Sequence, residues 1–241
     1  MKKLKIFKIS CLLFIVLVAC DKKDDELKVS ADVVFLKKEI SGEVRYGTAY
    51  SLQGNQGLDS VTVTVPISGE VVKLKQNATS TYLFEYEPKN ENFTNIAPYI
   101  GDYLFKVASK KGERLEVIED QRFDDLAFAV INETGFDDDN LWLYVKWGKV
   151  SGADAYATLL FKLSGEAIFS SFTIPAFTDE EYEYKISDFH ITGSWNEKPQ
   201  KDQKYILRVN AIKYDSDTGK DEYFNIQEIS ATDREIIWEF E

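Results

Sequence analysis

The chain is poor in the side chains that most often bind metals or form cross-links. Its 241 residues include one histidine, His190, and two cysteines, Cys11 and Cys20, which both lie near the N-terminus. The part of the chain after Cys20 therefore cannot form an internal disulfide. A zinc site built from several histidines is excluded, and a serine–histidine–aspartate triad would have to use His190. We expect His190 to be structural or exposed.

Positive charge is also scarce. The chain carries 29 lysines and arginines against 41 acids, a formal net charge of −12. Residues 1–19 contain four lysines and no acid, so their removal would change the net charge to −16. A body this acidic repels phosphate backbones, which argues against a nucleic-acid partner.

The N-terminus has the pattern of a secretory signal peptide. Residues 1–8 are basic, and residues 9–19 form an apolar run that is shorter than the ~20 residues a membrane-spanning helix needs. The run ends in Leu17-Val18-Ala19-Cys20, which resembles a bacterial lipobox. That resemblance implies that residues 1–19 are removed and that Cys20 carries lipid anchoring the chain to a membrane. The alternative is an ordinary secretory signal with an accidental cysteine.

A charged segment, residues 20–28, follows the lipobox and cannot pack into a core. The simplest interpretation is that this segment is a solvated tether. Part of it also resembles the surface-export signal of Bacteroidetes lipoproteins, and the residues concerned are Lys22, Lys23, Asp24, Asp25 and Glu26. Asp21 raises a rival, because aspartate directly after the lipidated cysteine resembles an inner-membrane retention signal of enteric bacteria. We predict an outer-membrane lipoprotein at the cell surface, with a periplasm-facing membrane as the alternative.

The body alternates apolar and polar residues with period two, which favours strands over helices. Val61, Val63 and Val65 show the pattern, and so do the runs 82–86 and 103–107. Gly- and Asn-rich turns separate these runs, as in an antiparallel sandwich or barrel. We predict an all-β fold of two β-sandwich domains in tandem, the first an immunoglobulin-like sandwich over residues 29–118.

The second predicted domain, residues 119–241, carries a more specific pattern over about residues 126–241. Trp147 ends one strand, a Gly-Ala turn and Tyr156 follow it, and a Tyr-x-Leu-Arg-Val-x-Ala strand comes later at residues 205–211. This resembles a bacterial fibronectin type III domain. The resemblance implies that Trp147 lies in the core and that Tyr205, Leu207, Val209 and Ala211 pack around it.

The domain boundary is expected near Glu119, with a first strand of the second domain at about residues 127–131, between the polar stretches 119–126 and 132–140. The stretch Ser164–Gln203 is longer than the family needs, which predicts extra strands or a long loop. The tail Tyr223–Phe240 is longer than one ordinary strand.

Three aromatic residues are candidates for ligand contact. Trp142 and Tyr144 alternate with leucines and Val145, so they are expected to point away from the core. Trp195 lies in the long segment and is expected to be the most exposed of the three. Outward aromatics can contact a glycan or a protein, but they can also cover an interface with the first domain or the extra strands.

One acidic run could bind a cation. Asp215, Asp217 and Asp221 surround a glycine, and calcium prefers several oxygen ligands. The run lacks the full 12-residue calcium-loop pattern, so a charged hairpin turn is the simpler interpretation. The run Asp137–Asn140 has the same ambiguity. No other cofactor is indicated.

These features predict a lipid-anchored envelope protein that acts as a non-catalytic binding or scaffold module for a protein or glycan. One alternative is a carbohydrate-active hydrolase that uses an Asp/Glu pair. Another is a purely structural envelope lipoprotein. A sandwich fold by itself does not choose between them.

Overall fold

The computed structural model describes residues 26–176, 179–187, 190–215 and 225–240. Within these ranges the secondary structure is almost entirely strand, and the one helical segment is a 3-10 turn at Asn90–Asn92. The predicted all-β sandwich fold is confirmed. None of the helical structure in the described part of the chain is long and apolar enough to cross a membrane.

The first part of the chain forms eight strands: β1 (Val29–Ile40), β2 (Glu43–Gly54), β3 (Leu58–Thr64), β4 (Val71–Lys73), β5 (Lys75–Gln76), β6 (Leu83–Tyr86), β7 (Gly101–Ser109) and β8 (Arg114–Gln121). The second part forms nine: β9 (Ile131–Asp137), β10 (Trp142–Gly148), β11 (Ala155–Lys162), β12 (Ala167–Ser171), β13 (Ile174–Pro175), β14 (Glu181–Ile186), β15 (Gly193–Trp195), β16 (Lys204–Tyr214) and β17 (Ile226–Ile237).

One long sheet runs through both parts of the chain. It has ten strands in the order β15-β12-β11-β16-β17-β1-β2-β6-β5, with β13 added beside β11. A four-stranded sheet, β4-β3-β7-β8, and a three-stranded sheet, β14-β10-β9, pack against its two ends. The result is two sandwiches that share one layer.

Each sandwich has its own apolar core. The first is built around Phe35, Leu52 and Phe105, and the second around Trp147, Leu207 and Trp238. We call the surrounding parts of the chain the first unit (residues 27–123) and the second unit (residues 126–240). A domain boundary near Glu119 remains a prediction, and β8 continues past that residue to Gln121.

The second core confirms the packing expected for the tryptophan and the strand beneath it. Trp147 is fully buried, with its ring 5.5 Å from Tyr156 and 6.0 Å from Tyr182 between centroids. Leu207, Val209 and Ala211 are also fully buried, because they occupy alternate positions of β16. The long stretch before β16 contains the predicted extra strands, β12 to β15.

One expectation about strand positions was wrong. The first strand of the second unit is Ile131–Asp137, within the polar stretch, and not residues 127–131. Polar residues are tolerated there because β9 is an edge strand, with β10 as its only neighbour in the described structure. The C-terminal tail is one long strand, β17, and its length has a structural use.

The extra length of β17 joins the two units. Its residues Glu228–Ala231 pair in parallel with Phe35–Lys38 of β1. Beside this pairing the fully buried Glu228 accepts hydrogen bonds from the backbone N–H groups of Leu126 (2.6 Å) and Asp124 (3.3 Å). The polar connection between the units is therefore fixed to β17.

Lys37 completes this junction from the β1 side. Its ammonium group donates to Asp125 at 2.7 Å and to the carbonyl of Leu126 at 3.1 Å. Burial raises the pKa of Glu228, while its two backbone N–H donors and the charge of Lys37 act in the opposite direction. The relative position of the units thus depends on buried polar contacts as well as on strand pairing.

Candidate functional site

The predicted aromatic pair on β10 does point away from the core. Trp142 and Tyr144 are half-buried on the outer face, whereas Leu143 and Val145 between them are fully buried. The face of Trp142 is covered by His190, whose ring stacks on the indole at 4.4 Å with an angle of 15° between the planes. Trp142 is therefore covered by a residue of the long stretch Ser164–Gln203, as one of the two interpretations predicted.

Tyr144 is also engaged within the second unit. Its hydroxyl donates to Glu133 at 3.1 Å, and the same carboxylate accepts a hydrogen bond from Lys146 at 2.9 Å. The ring lies so close to Gly135 that a Cβ added there would force the tyrosine side chain to shift. This outer face is consequently a set of mutually satisfied groups around a shallow depression of about 180 Å³.

Trp195 is less accessible than expected. Its indole N–H donates to the carbonyl of Ser187 at 3.0 Å, and its ring lies 4.6 Å from Phe169 between centroids. It also approaches Trp238 edge-on. The residue is part of the margin of the second core, because the extra strands fold back over that core.

Several predicted residues lie outside the described part of the chain: Cys20, Lys22, Lys23, Asp24, Asp25, Asp217 and Asp221. Glu26 is exposed, and its carbonyl accepts a hydrogen bond from the Asn55 side chain. Asp215 follows β16. Among the described residues, no three His, Cys, Asp or Glu side chains are arranged to hold a metal ion. Calcium binding by the run around Asp215 remains an untested prediction.

Two carboxyl groups, those of Asp32 and Glu119, have pKa values well above the ordinary range. Burial, followed by the nearby charge of Glu119, raises the pKa of Asp32 to about 7. Burial, followed by the charge of Asp215, raises the pKa of Glu119 to about 7. The pair lies where β1 approaches β8, and neither residue lines the cleft that contains Tyr46, Tyr50 and Tyr103.

The structure contains a cleft that the sequence did not reveal, in the first unit. It encloses about 310 Å³, at the lower end of the ~300–1,000 Å³ usual for small-molecule sites. Five tyrosines from four separate segments of the chain line it: Tyr46, Tyr50, Tyr86, Tyr99 and Tyr103. We call it the tyrosine cleft.

The tyrosines have different positions in the cleft. Tyr50 and Tyr103 form its buried floor, with ring centroids 5.8 Å apart, and Tyr86 lies 5.7 Å from Tyr50. Tyr46 and Tyr86 are half-buried walls, and Tyr99 is at the rim with 39% of its surface exposed. Burial raises the pKa of Tyr50 and of Tyr103 above the ordinary range, so both hydroxyls remain protonated.

The loop that closes one side of the cleft is held in place by specific contacts. Tyr46 and Thr94 exchange two backbone hydrogen bonds of 2.7 and 2.9 Å. The Tyr103 hydroxyl donates to the carbonyl of Tyr99 at 2.6 Å. Phe93 packs over Gly47, where an added Cβ would be 3.0 Å from the phenyl ring. The wall is therefore preformed, which reduces the entropy cost of binding.

The cleft opens at the end of the first unit opposite the N-terminal residues. Lys28 lies beside Asn55 at the β2–β3 turn, and their hydrogen bond is 2.9 Å long. From that turn β3 runs to the far end, where the turn at residues 65–70 and the loop before β7 form the mouth of the cleft. A chain anchored near residue 20 would thus present the mouth on the side away from its tether.

The polar groups of the cleft are few and mostly neutral. Thr48, Asn92 and Thr94 contribute hydroxyl and amide groups, and Glu70 is the one charged residue lining the cleft in the described structure. Ile96 also lines the cleft and has 64% of its surface exposed. The Thr94 hydroxyl already donates to the carbonyl of Ile96. A largely aromatic lining with a few polar groups is typical of a binding site.

Sequence reasoning missed this site because its parts are far apart in the chain. Tyr86 and Tyr103 belonged to alternating runs that predicted strands, but nothing local links them to Tyr46 or Tyr99. The available signal was compositional, since the chain has 13 tyrosines. That number does not indicate which of them meet.

Comparisons with known proteins do not assign a family. No family model matches the chain, and no curated protein matches it. Among solved structures, a DUF3823 family protein from Bacteroides uniformis aligns at 13% identity over 86% of this chain and 99% of that one, with a TM-score of 0.34. A tetra-tandem repeat from the extending region of a large adhesion protein aligns at 11% identity over 87% of this chain, with a TM-score of 0.28. The chain spans 49% of that second protein's length.

Proposed function

We propose that the chain is a non-catalytic binding module of the bacterial envelope and that the tyrosine cleft is its ligand site. The observation that carries the proposal is the cleft itself, which is preformed, lined by aromatic rings and open away from the N-terminal residues. The buried hydroxyls of Tyr50 and Tyr103 stay protonated, and that of Tyr103 already donates to the carbonyl of Tyr99, so the floor of the cleft is uncharged.

The experiment compares the mature chain with a cleft variant, Tyr99→Ala combined with Glu70→Lys. Both positions are exposed, so the fold should be retained. Fluorescently labelled proteins are applied to a panel of immobilised extracellular polysaccharides and extracellular proteins. We expect the mature chain to bind at least one member of the panel and the variant to lose that binding. Equal retention by both proteins, or no binding to any member, would contradict the proposal.

The anchor is the second part of the proposal. Lipid on Cys20 would hold the module on the membrane after removal of residues 1–19. Mass spectrometry of the mature N-terminus should show an acylated Cys20, and Cys20→Ala should release the protein from the membrane fraction. An unmodified cysteine, or cleavage at another position, would refute this part.

Exposure at the cell surface is tested separately. Protease added to intact cells should digest the body, because residues 22–26 would direct export. Replacing Asp24, Asp25 and Glu26 with alanine should protect the body from digestion. A native protein that is membrane-bound but resistant would favour the periplasm-facing alternative.

One observation favours a second candidate, the hydrolase. Asp32 and Glu119 both have a pKa of about 7, and a carboxyl group with a raised pKa can act as a general acid. Their position outside the tyrosine cleft argues for the binding module instead. Polysaccharide turnover that is abolished by Asp32→Asn would establish the hydrolase.

A further inference from the structure

We infer that the ligand of the tyrosine cleft is an uncharged carbohydrate, bound through the faces of its sugar rings. This inference rests on the proposed function and adds the chemical class of the ligand. It depends on three properties of the cleft: the arrangement of its aromatic rings, its charge, and the strands from which it is built.

The rings offer both kinds of contact that a sugar needs. A pyranose has an apolar face of C–H groups and a polar edge of hydroxyls, and tyrosine combines an apolar ring with a polar tip. Tyr46 and Tyr86 provide half-exposed walls, and Tyr99 provides a third ring at the rim. Thr48 and Asn92 lie beside these rings with groups that can pair with hydroxyls.

The charge of the cleft argues against acidic ligands. Glu70 is the one charged residue in its lining as described, and removal of the basic N-terminal segment would leave the chain at −16. A uronate or sulfated sugar would meet a carboxylate at the mouth and no cationic side chain in the lining. Repulsion of this kind disfavours an anionic ligand while leaving a neutral sugar unaffected.

The strands around the cleft argue against an extended peptide. Peptides that are recognised by strand addition require a free sheet edge. Tyr46, Tyr86 and Tyr103 lie on β2, β6 and β7, and each of these strands already has a neighbour on both sides. The edge strand that lines the cleft, β4 with Val72, has three residues and offers little backbone for pairing. Recognition by the side chains of the tyrosine-bearing strands therefore favours a compact ligand over a backbone-paired one.

The size of the cleft limits how much ligand it encloses. A volume of about 310 Å³ suits a short oligosaccharide or the end of a longer chain. The remainder would leave through the mouth across Tyr99 and Ile96, whose exposed side chains extend the apolar surface. We therefore expect affinity to increase with chain length beyond a single sugar unit.

The test uses the mature chain with Cys20→Ala, so that no detergent is needed. Binding of maltohexaose, cellohexaose and xylohexaose is measured by isothermal titration calorimetry, beside hexagalacturonate as an acidic probe of similar length. We expect at least one neutral hexasaccharide to bind and to be preferred over hexagalacturonate by about tenfold or more.

Three variants locate the binding. Tyr99→Ala should weaken the preferred neutral sugar by about tenfold. Tyr86→Phe keeps the ring and should have a smaller effect, which guards against loss of fold as the explanation. Trp142→Ala, in the second unit, is the matched aromatic control and should leave affinity unchanged.

The inference is overturned if none of the neutral sugars binds, if hexagalacturonate binds more tightly than all of them, or if Tyr99→Ala binds as well as the parent chain. The proposed function can survive when the carbohydrate inference fails. If the mature chain binds a protein of the wider panel and the Tyr99→Ala, Glu70→Lys variant does not, the cleft is a binding site but its ligand is not a carbohydrate. Loss of cleft dependence for every ligand would refute both.

Discussion

The two units of this protein use aromatic residues in different ways. All four tryptophans lie in the second unit, where Trp147 and Trp238 fill the core and Trp195 closes its margin. The first unit contains no tryptophan, and five of its six tyrosines line an open cleft. Two sandwiches of the same general plan therefore use aromatic rings differently: both have a packed apolar core, but the first also has an open cleft at one end.

The largest effect should come from the filled core. Trp147→Ala removes a fully buried indole and should cost about 3–5 kcal/mol of unfolding free energy. Because the units have separate apolar cores, amide hydrogen exchange should accelerate first in β10, β11 and β16. Protection should persist in β3 and β7. Equal loss of protection in both units would show that they unfold as one, and the domain division predicted near Glu119 would then be wrong.

The junction between the units should give the next largest effect. Glu228→Ala leaves two buried backbone N–H groups without their acceptor and removes the carboxylate near Lys37. We expect a loss of about 1–3 kcal/mol, measured by chemical denaturation. Glu228→Gln retains one acceptor oxygen and should cost less. If both substitutions are neutral, the junction contributes nothing and the units are joined by strand pairing alone.

The first unit should also respond to pH through Asp32 and Glu119. Their folded-state pKa values near 7 lie above the ordinary values of 3.8 and 4.5. The folded state therefore binds more protons than the unfolded state between about pH 4 and 7, and stability should fall as the pH rises through that window.

Denaturation at pH 5 and pH 8 measures this dependence. Asp32→Asn should flatten the profile and stabilise the protein at pH 8, since it removes a half-buried charge beside Glu119. The expectation is contradicted if the stability of the parent protein rises from pH 5 to pH 8 and the Asp32→Asn variant shows the same rise.

The smallest effect concerns the open cleft. Tyr103→Phe keeps the floor of the cleft but removes the 2.6 Å hydrogen bond to Tyr99, which should cost about 1 kcal/mol. Amide exchange should accelerate in residues 95–100, with little change in the second unit. Tyr144→Phe, which removes an exposed hydrogen bond to Glu133, is the control and should be close to neutral.

The alternation of apolar and polar residues predicted most of the local backbone structure, namely the strands and their buried faces. The pattern around Leu143, Val145 and Trp147 identified both the strand and its buried face. It failed at β9, because an edge strand can be polar along most of its length. Periodicity reports burial, and a strand that is scarcely buried gives a weak signal.

The tail shows the other limit of local reasoning. Its length was recognised as excessive, but only pairing with β1 explains it, and the paired residues Phe35 and Glu228 lie nearly the whole chain apart. No local pattern specifies such a partner. Long-range strand pairing is decided by which edges remain free after both sandwiches have packed.

The sequence by itself determined the all-β class, the placement of Trp147 in a core and the outward direction of Trp142 and Tyr144, because strand periodicity and apolar burial act between near neighbours. Only the tertiary structure decided that His190 covers Trp142, that β17 joins the units, and that five tyrosines spread over residues 46–103 converge on one cleft. These features depend on the relative placement of whole strands. That placement results from packing two sheets together, and no short stretch of sequence specifies it.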